Sequence, residues 1–346
     1  MRTGVFFENY GAEEQLWDSQ TSKTMMAVFV VALYLLPLWG SDYMVAMACI
    51  VGIHLIAVMG LNITTGSAGL ISLSQAAFMG VGCYAVSWFA RWGIPFWLAL
   101  PMAGLLAALI GMVVGLPSLR VKGMYFAIAT LAAHFVLSFL FREWTPVTGG
   151  PGGVNIPAAN FFGIELVGDH RMFYPIYICV LLLGLAAANI TRSYVGRAFI
   201  AVRDRDISAE ILGVNLLRYK VLAFMLGSFY AGVAGGLLGY FYGAITAEYF
   251  TFGLSVFYVA AIIVGGLGRV LGSVLGAVFM TFVPESLRLM SSALSGSIPS
   301  LANLLLPMGQ VVFGVLIIIF LIFEPRGLAQ MWARIRRAFH LWPFRT

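Results

Sequence analysis

The chain has 346 residues, of which 61% are hydrophobic and only 10% are charged, and its mean hydropathy is +0.95. A protein surrounded by water has no way to bury this much apolar surface, so the composition excludes an ordinary soluble domain and indicates an integral membrane protein. The formal net charge of +6 is explained by membrane topology, and nucleic-acid binding is not expected.

Ten apolar segments are long enough to cross a bilayer, which takes roughly 20 residues. In chain order they are 24–40, 43–62, 72–91, 95–119, 123–141, 172–190, 220–241, 253–268, 270–289 and 307–323. The sequence therefore predicts an all-α integral membrane protein with about ten transmembrane helices. A tail at 1–23 precedes this transmembrane domain (24–323), and a basic tail at 324–346 follows it.

The basic residues are distributed unevenly between the loops on the two sides of the membrane. With ten spans, the side that holds both termini carries 16 of the 20 Lys and Arg residues, and the other side carries Arg91, Arg142, Arg171 and Arg288. Because cytoplasmic loops are enriched in Lys and Arg, both termini are expected in the cytoplasm.

A polar segment at 142–171 divides the spans into two sets of five. An odd number of spans gives the two sets opposite orientations, so parity predicts two inverted five-helix halves, a recurring transporter architecture. The segment contains TGGPGG at 148–153 and should be an external loop. It is interpreted either as a solvated connector or as a docking surface over the pathway.

The segment NITTGSAGLISLSQ at 62–75 is rich in hydroxyls and amides at the junction of the second and third spans. This pattern favours a broken or re-entrant helix beside a translocation pathway, since irregular backbone at membrane depth is tolerated only inside protein or beside a cavity. A cytoplasmic loop lying flat is the alternative. The predicted pathway residues are Asn62, Thr64, Thr65, Gly66, Gly69, Ser72, Ser74 and Gln75.

The segment 191–220 is the one long hydrophilic break between spans, and it is expected to be cytoplasmic. It carries six basic residues and a short helical pattern in which Asp206 is a candidate N-cap and Gly213 a natural stop. Ile207, Ile211 and Val214 form an apolar stripe. A helix of about two turns is marginal alone in water, so it needs a groove, either in this chain or, more economically, in a partner.

Catalytic and cofactor motifs are missing from the sequence. No phosphate-binding loop, metal-ligand spacing or nucleophile triad occurs, so neither ATP hydrolysis, a metal nor a cofactor is expected. His54 and His134 fall within spans, where neutral imidazoles hydrogen-bonded to neighbouring helices are expected. Glu285 is the one credible intramembrane acid, and Arg288 three residues later can neutralise it.

Glycines recur at intervals of four in two places. These are Gly235, Gly239 and Gly243, and Gly268, Gly272 and Gly276. Small residues at this spacing let another backbone approach closely, so tight helix packing is expected.

Several motifs resemble the permeases of the branched-chain amino-acid family of ATP-binding-cassette importers. The segment GRAFIAVRDRDISAEILGVN is similar to the cytoplasmic coupling loop of that family, with matches at eight positions from Gly196 to Gly213. TTGSAGLISLSQAAFMGVG (64–82), TGGPGG (148–153), VGGLGRVLGSVLGA (264–277) and EPRGL (324–328) are also similar. Together they cover most of the chain from about residue 45 to 330.

The resemblance implies a permease subunit of a bacterial inner-membrane importer for branched-chain amino acids or a related small polar solute. Its implied partners are a homologous second permease, two cytoplasmic ATP-binding subunits and an external solute-binding protein. The implied ATPase-coupling residues are Arg203, Asp206, Ala209, Glu210 and Gly213.

Two other classes of function stay open at this point. The chain can be an autonomous channel or facilitator for a small solute such as urea, with a merely regulatory polar loop. A membrane-embedded enzyme is disfavoured because catalytic constellations are missing.

Overall fold

The computed structural model describes residues 20–118, 123–161, 164–166, 168–295 and 327–341, together with single positions between 311 and 324. This part of the chain is almost entirely helical. The helices are α1 (Gln20–Trp39), α2 (Asp42–Leu61), α3 (Gln75–Arg91), α4 (Phe96–Ser118), α5 (Met124–Glu143), α6 (Thr145–Thr148), α7 (Asp169–Arg192), α8 (Tyr194–Asp204), α9 (Asp206–Ile211), α10 (Leu216–Tyr242), α11 (Phe252–Gly265), α12 (Val270–Ser295) and α13 (Leu328–Leu341).

Six helical segments among the described residues are long and apolar enough to cross a membrane. They are Asp42–Ser67, Phe96–Pro117, Met124–Glu143, Asp169–Arg192, Leu216–Tyr242 and Ala247–Gly265. The apolar helices Val30–Trp39 and Val270–Ser286 are shorter, α3 has 17 residues, and most of the predicted span 307–323 lies outside the described residues. The membrane-protein class is confirmed, and the count of ten stays a prediction.

Several helix ends differ from the predicted span boundaries for local reasons. Helix α1 already begins at Gln20, inside the predicted tail 1–23, whose first 19 residues lie outside the description. The third span begins at Gln75 instead of residue 72, because residues 68–74 are not helical. Helix α10 begins at Leu216, where the Asn215 side chain accepts a hydrogen bond from the Arg218 amide. Helix α11 ends at Gly265, because Gly266 has a φ of +114°.

Helix α10 lies at the centre of the bundle and packs against α2, α3 and α4. The approach is so close that a Cβ added to Gly235 would lie 1.8 Å from the Met79 carbonyl oxygen. Helices α11 and α12 pair in the same way, with Gly276 against the Ala261 carbonyl. The expected glycine packing is confirmed here, but Gly243 instead ends α10 with a φ of +70° and open space around it. Gly268 lies in the turn before α12, with a φ of +76°.

Short strands lie at one end of α10, where the polar segment 142–171 meets the residues that follow α10. Strand β1 (Val154–Asn155) pairs antiparallel with β4 (Ala244–Ile245), and β2 (Asn160–Phe161) pairs with β3 (Ile164–Glu165). Helix α9 lies near the other end of α10, roughly 40 Å away along 27 residues. The structure therefore has two distinct ends, a strand end and an α9 end.

Candidate functional site

Helix α9 is a short helix with a well-defined stop at the α9 end of the bundle. Gly213 has a φ of +87°, and its amide donates to the Glu210 carbonyl (2.9 Å) while the Val214 amide donates to the Ala209 carbonyl (3.0 Å). This pair of bonds is the Schellman motif. The predicted stop at Gly213 is confirmed.

The predicted N-cap of α9 was off by one residue. Arg205 occupies the cap position, and Asp206 is the first helical residue. Its carboxylate accepts a hydrogen bond from the Ile207 amide (2.9 Å) and lies near the positive end of the helix dipole. Asp206 therefore still stabilises the beginning of α9, from inside the first turn.

The outer face of α9 is apolar. Ile207, Ile211 and Leu212 are 66%, 80% and 82% exposed, and Glu210 and Gly213 are exposed beside them. We call these five residues the α9 face. Leu212, not the half-buried Val214, completes the apolar surface, and the sequence pattern missed it.

Ala209 lies on the opposite side of α9 from this surface. It is 2% exposed, in a helix that contacts both α8 and α10 of its own chain. A partner cannot reach its side chain in this conformation. Ala209 therefore seats α9 on its own subunit, and its role in ATPase coupling stays a prediction.

Arg203 connects the α8–α9 segment to the break after α2. Its Nη1 donates a hydrogen bond to the Gly66 carbonyl (2.8 Å) and its Nε to Asp204 Oδ1 (2.9 Å). A Cβ added to Gly69 would lie 2.6 Å from Arg203 Cγ. Two regions that the sequence singled out separately, 62–75 and 191–220, thus meet at this guanidinium.

Asn62 ties the same break to the turn between α11 and α12. Its Oδ1 accepts from the Gly268 amide (2.8 Å), and its Nδ2 donates to the Arg269 carbonyl (2.9 Å). We call Asn62, Gly66, Arg203, Gly268 and Arg269 the junction. Predicted as a pathway residue, Asn62 uses both ends of its amide to hold two helix ends together.

The C-terminal helix α13 also reaches the junction. Arg269 Nη1 donates to Gln330 Oε1 (3.2 Å), and a Cβ added to Gly327 would lie 2.6 Å from Gly266 Cα. Arg334 pairs with Glu324 (2.8 Å). Gly327, near the end of the motif at 324–328, therefore lies beside the motif at 264–277, and the basic tail contains a docked helix that the sequence analysis did not predict.

The segment after α2 is a broken helix, as the sequence predicted. A π-helix (Asn62–Ser67) continues from α2, residues 68–74 are irregular, and α3 begins at Gln75. π-Helical turns are frequent at functional sites. The flat-loop alternative is wrong, because the polar side chains of this segment are buried.

The predicted pathway side chains are hydrogen-bonded within the chain. The Thr64 hydroxyl donates to the Gly60 carbonyl, the Thr65 hydroxyl to the Leu70 carbonyl, and the Ser72 and Ser74 hydroxyls lie 3.1 Å apart. Gln75 Nε2 donates to the Ala57 carbonyl (2.8 Å). One of the eight predicted residues, Gly69, lines a cavity of about 240 Å³, together with Arg203, Asp206 and Lys220. The pathway role of the set stays a prediction.

The ionisable residues within the predicted spans have the expected neighbours. His54 Nδ1 lies 2.8 Å from the Tyr258 hydroxyl, and His134 Nδ1 lies 3.5 Å from the Ser255 hydroxyl. Glu285 accepts from Arg288 Nε (3.0 Å) and from the Tyr43 hydroxyl. Within the described ranges, no group of three or more His, Cys, Asp or Glu side chains is arranged to hold a metal ion.

Sequence comparisons match the chain to known permeases. The sequence model of the family described as "Branched-chain amino acid transport system / permease component" matches residues 43–321. The chain belongs to this family. The match includes the whole break after α2, the five residues of the junction, and helix α9. Helix α13 lies beyond the matched range.

Alignments with individual relatives cover much of the chain. It is 30% identical over 343 residues to the High-affinity branched-chain amino acid transport system permease protein LivM of Escherichia coli, covering 91% of this chain and 77% of that protein. It is 28% identical over 241 residues to LivH of Salmonella typhimurium (64% and 77% covered). It is 27% identical over 205 residues to the Autoinducer 2 import system permease protein LsrC of Salmonella paratyphi B (56% and 57% covered). No solved structure matches the chain.

Proposed function

We propose that this chain forms half of the translocation pathway of an ATP-driven importer of branched-chain amino acids. The family match and the similarity to LivM support the solute class. The single structural observation that carries the proposal is the α9 face, where three large aliphatic side chains are exposed, two on the helix of six residues and the third at its C-cap. Such a surface marks a protein contact in a polar segment.

The proposed partner at the α9 face is a cytoplasmic ATP-binding subunit. The apolar side chains would enter a groove of that subunit, and Glu210 would meet a basic or amide-lined wall. Gly213, which has nothing within 4 Å of an added Cβ, leaves room for a close approach. Arg203 and Asp206 hold the segment that presents this surface.

The junction is the proposed route from ATP to the pathway. A displacement of α9 moves α8, because Ala209 and the α8 contacts seat the two helices together. Arg203 then moves Gly66 through a 2.8 Å hydrogen bond, and Asn62 moves the α11–α12 turn. A switch of this kind needs two discrete helix packings, and the glycine contacts of α10 and α12 allow backbones to repack closely.

The other proposed subunits are those expected for this family of importers. A homologous second permease would complete the pathway, a second ATP-binding subunit would complete the motor, and an external solute-binding protein would deliver the solute. The similarity to both LivM and LivH supports a pair of different permeases. This chain would contribute no ATPase site of its own.

The proposed topology places ten spans in the bacterial inner membrane as two inverted halves, with both termini and the α9 face in the cytoplasm and the strand end outside. In a cysteine-free background, a cysteine at Asn160 should react with an impermeant reagent in intact cells, and one at Ser208 should not. Labelling of both from outside would overturn the orientation.

Reconstitution distinguishes the importer from the autonomous channel. Co-purification of an ATP-binding subunit in stoichiometric amount, with leucine uptake that requires ATP, is the expected result. Leucine flux through vesicles that contain this chain alone would support the channel instead.

A further inference from the structure

An apolar groove of about 670 Å³ runs along the strand-end half of the bundle. Helices α4 and α7 form its walls and α10 forms its floor. Both walls contain a proline inside the helix, Pro101 in α4 and Pro175 in α7. The lining residues that matter here are Trp97, Leu100, Tyr174, Ile178, Leu182 and Phe229.

The length of the groove matches one leaflet of a bilayer. From Arg171 to Leu182 the wall α7 rises by 11 residue steps, which at 1.5 Å per step is roughly 17 Å. Half of the hydrocarbon core is about 15 Å. Tyr174, Ile178 and Leu182, spaced by four, are 38%, 48% and 60% exposed, so one apolar stripe is uncovered over about 12 Å of this length.

Charged and amphipathic side chains lie at the strand-end mouth of the groove. Arg171 lines the groove, and its Nη1 donates to the Glu165 backbone carbonyl (3.1 Å). Among the described residues, no carboxylate lies within 4 Å of its guanidinium. Trp97 is 45% exposed, and Trp is the residue type typical of the headgroup level.

The mouth carries charges of both signs. Glu165 and Arg171 are both exposed, and the hydrogen bond from Arg171 to the Glu165 backbone carbonyl brings the two residues together at the mouth without an ion pair. A guanidinium binds phosphate well, while a neighbouring carboxylate repels a second anionic group and attracts an ammonium. A guanidinium and a carboxylate at one mouth suit a lipid headgroup whose phosphate and ammonium are joined by two methylenes.

We propose that this groove binds a zwitterionic aminophospholipid of the phosphatidylethanolamine class. One acyl chain lies along Tyr174, Ile178 and Leu182, the phosphate contacts Arg171, and the ammonium lies near Glu165. The proposal does not depend on the transported solute or on the α9 face. It requires only that the chain is embedded in a bilayer.

The test uses the full permease complex, extracted from membranes and placed in nanodiscs with equal amounts of phosphatidylethanolamine and phosphatidylglycerol. Native mass spectrometry then identifies the lipids that stay bound after release into detergent. Arg171→Ala removes a charged hydrogen-bond donor, so affinity should fall about ten- to hundredfold. Ile178→Trp fills the groove and should abolish retention. Arg142→Ala and Ile128→Trp, on α5 and outside the groove, are the matched controls and should bind lipid like the parent.

A third variant tests the headgroup. Glu165→Gln should remove the preference for the ethanolamine lipid and leave the phosphate contact. Equal retention of both lipids by the parent complex would overturn the headgroup assignment, as would competition by inorganic phosphate alone. If Ile178→Trp instead releases the second permease while the parent retains no lipid, the groove is a subunit interface and the proposal is wrong.

Discussion

Leu212→Ser tests the α9 face directly. Leu212 is 82% exposed, so the substitution removes few contacts within the subunit and should leave the permease folded. Complete burial of a Leu side chain contributes roughly 1.5–3 kcal/mol. If docking covers the exposed four-fifths, the substitution costs about 1.2–2.4 kcal/mol, which weakens binding of the ATP-binding subunit about 8- to 60-fold.

The measurement is the affinity of the purified ATP-binding subunit for the permease pair in nanodiscs, followed by leucine-stimulated ATP hydrolysis in vesicles. Leu217→Ser is the matched control, because Leu217 is also exposed (52%) and lies in the first turn of α10, outside α9. Its binding should stay within about twofold of the parent.

Two outcomes would refute the reasoning about α9. If Leu212→Ser binds the ATP-binding subunit like the parent, the α9 face is not the docking surface. If Leu217→Ser loses as much affinity as Leu212→Ser, the loss reflects general apolar adhesion at this end of the bundle and not a specific groove.

Two further substitutions test the transmission and the packing. Arg203→Ala removes the charged donor to Gly66, worth about 1.5–3 kcal/mol, so uptake per ATP hydrolysed should fall about tenfold or more while the complex still assembles. Arg205→Ala is the control and should keep the parent ratio of uptake to hydrolysis. If Arg203→Ala also keeps the parent ratio, the junction is not the route. Gly235→Ala places a Cβ 1.8 Å from a backbone oxygen of α3, so it should cost at least about 1–3 kcal/mol and lower the thermal midpoint. In Gly253→Ala the nearest heavy atom is 3.6 Å from the added Cβ, so that variant should melt like the parent; equal midpoints would mean that the α3–α10 approach is not fixed.

Local patterns predicted the features that depend on neighbouring residues in the chain. The stop of α9 at Gly213 follows from the freedom of glycine at positive φ, and the pairing of Glu285 with Arg288 follows from their i, i+3 spacing. The break after α2 was visible in the run of Gly, Ser and Thr. Each of these predictions used fewer than fifteen consecutive residues.

Contacts between distant segments were not predictable in the same way. Arg203 and Gly66 are 137 residues apart, and nothing in either segment specifies the other as its partner. Ala209 shows a second limit: a small residue on a short helix is compatible with a close approach of a partner or with burial on its own subunit. The structure shows burial, so the proposed docking rests on its larger neighbours.

The helix break and Arg203 depend on one another. In a continuous α-helix the Gly66 carbonyl would accept the amide of residue 70, but here the Leu70 amide donates to the Thr64 carbonyl instead. The Gly66 carbonyl therefore serves Arg203. A Cβ added to Gly66 would lie 2.0 Å from Asn62 Oδ1 and 2.5 Å from the Gly268 amide, so a larger residue would separate the α11–α12 turn from the break.

Glycine at position 66 thus allows three chain segments to meet within hydrogen-bond distance. Apolar packing alone allows helices to slide, because dispersion contacts carry little directional preference. The Asn62 amide accepts one oriented hydrogen bond and donates another, and Arg203 donates a third. Sliding would break these bonds and leave polar groups without partners. We therefore expect the polar junction, and not the surrounding apolar core, to make α2, α8 and the α11–α12 turn move together if α9 is displaced.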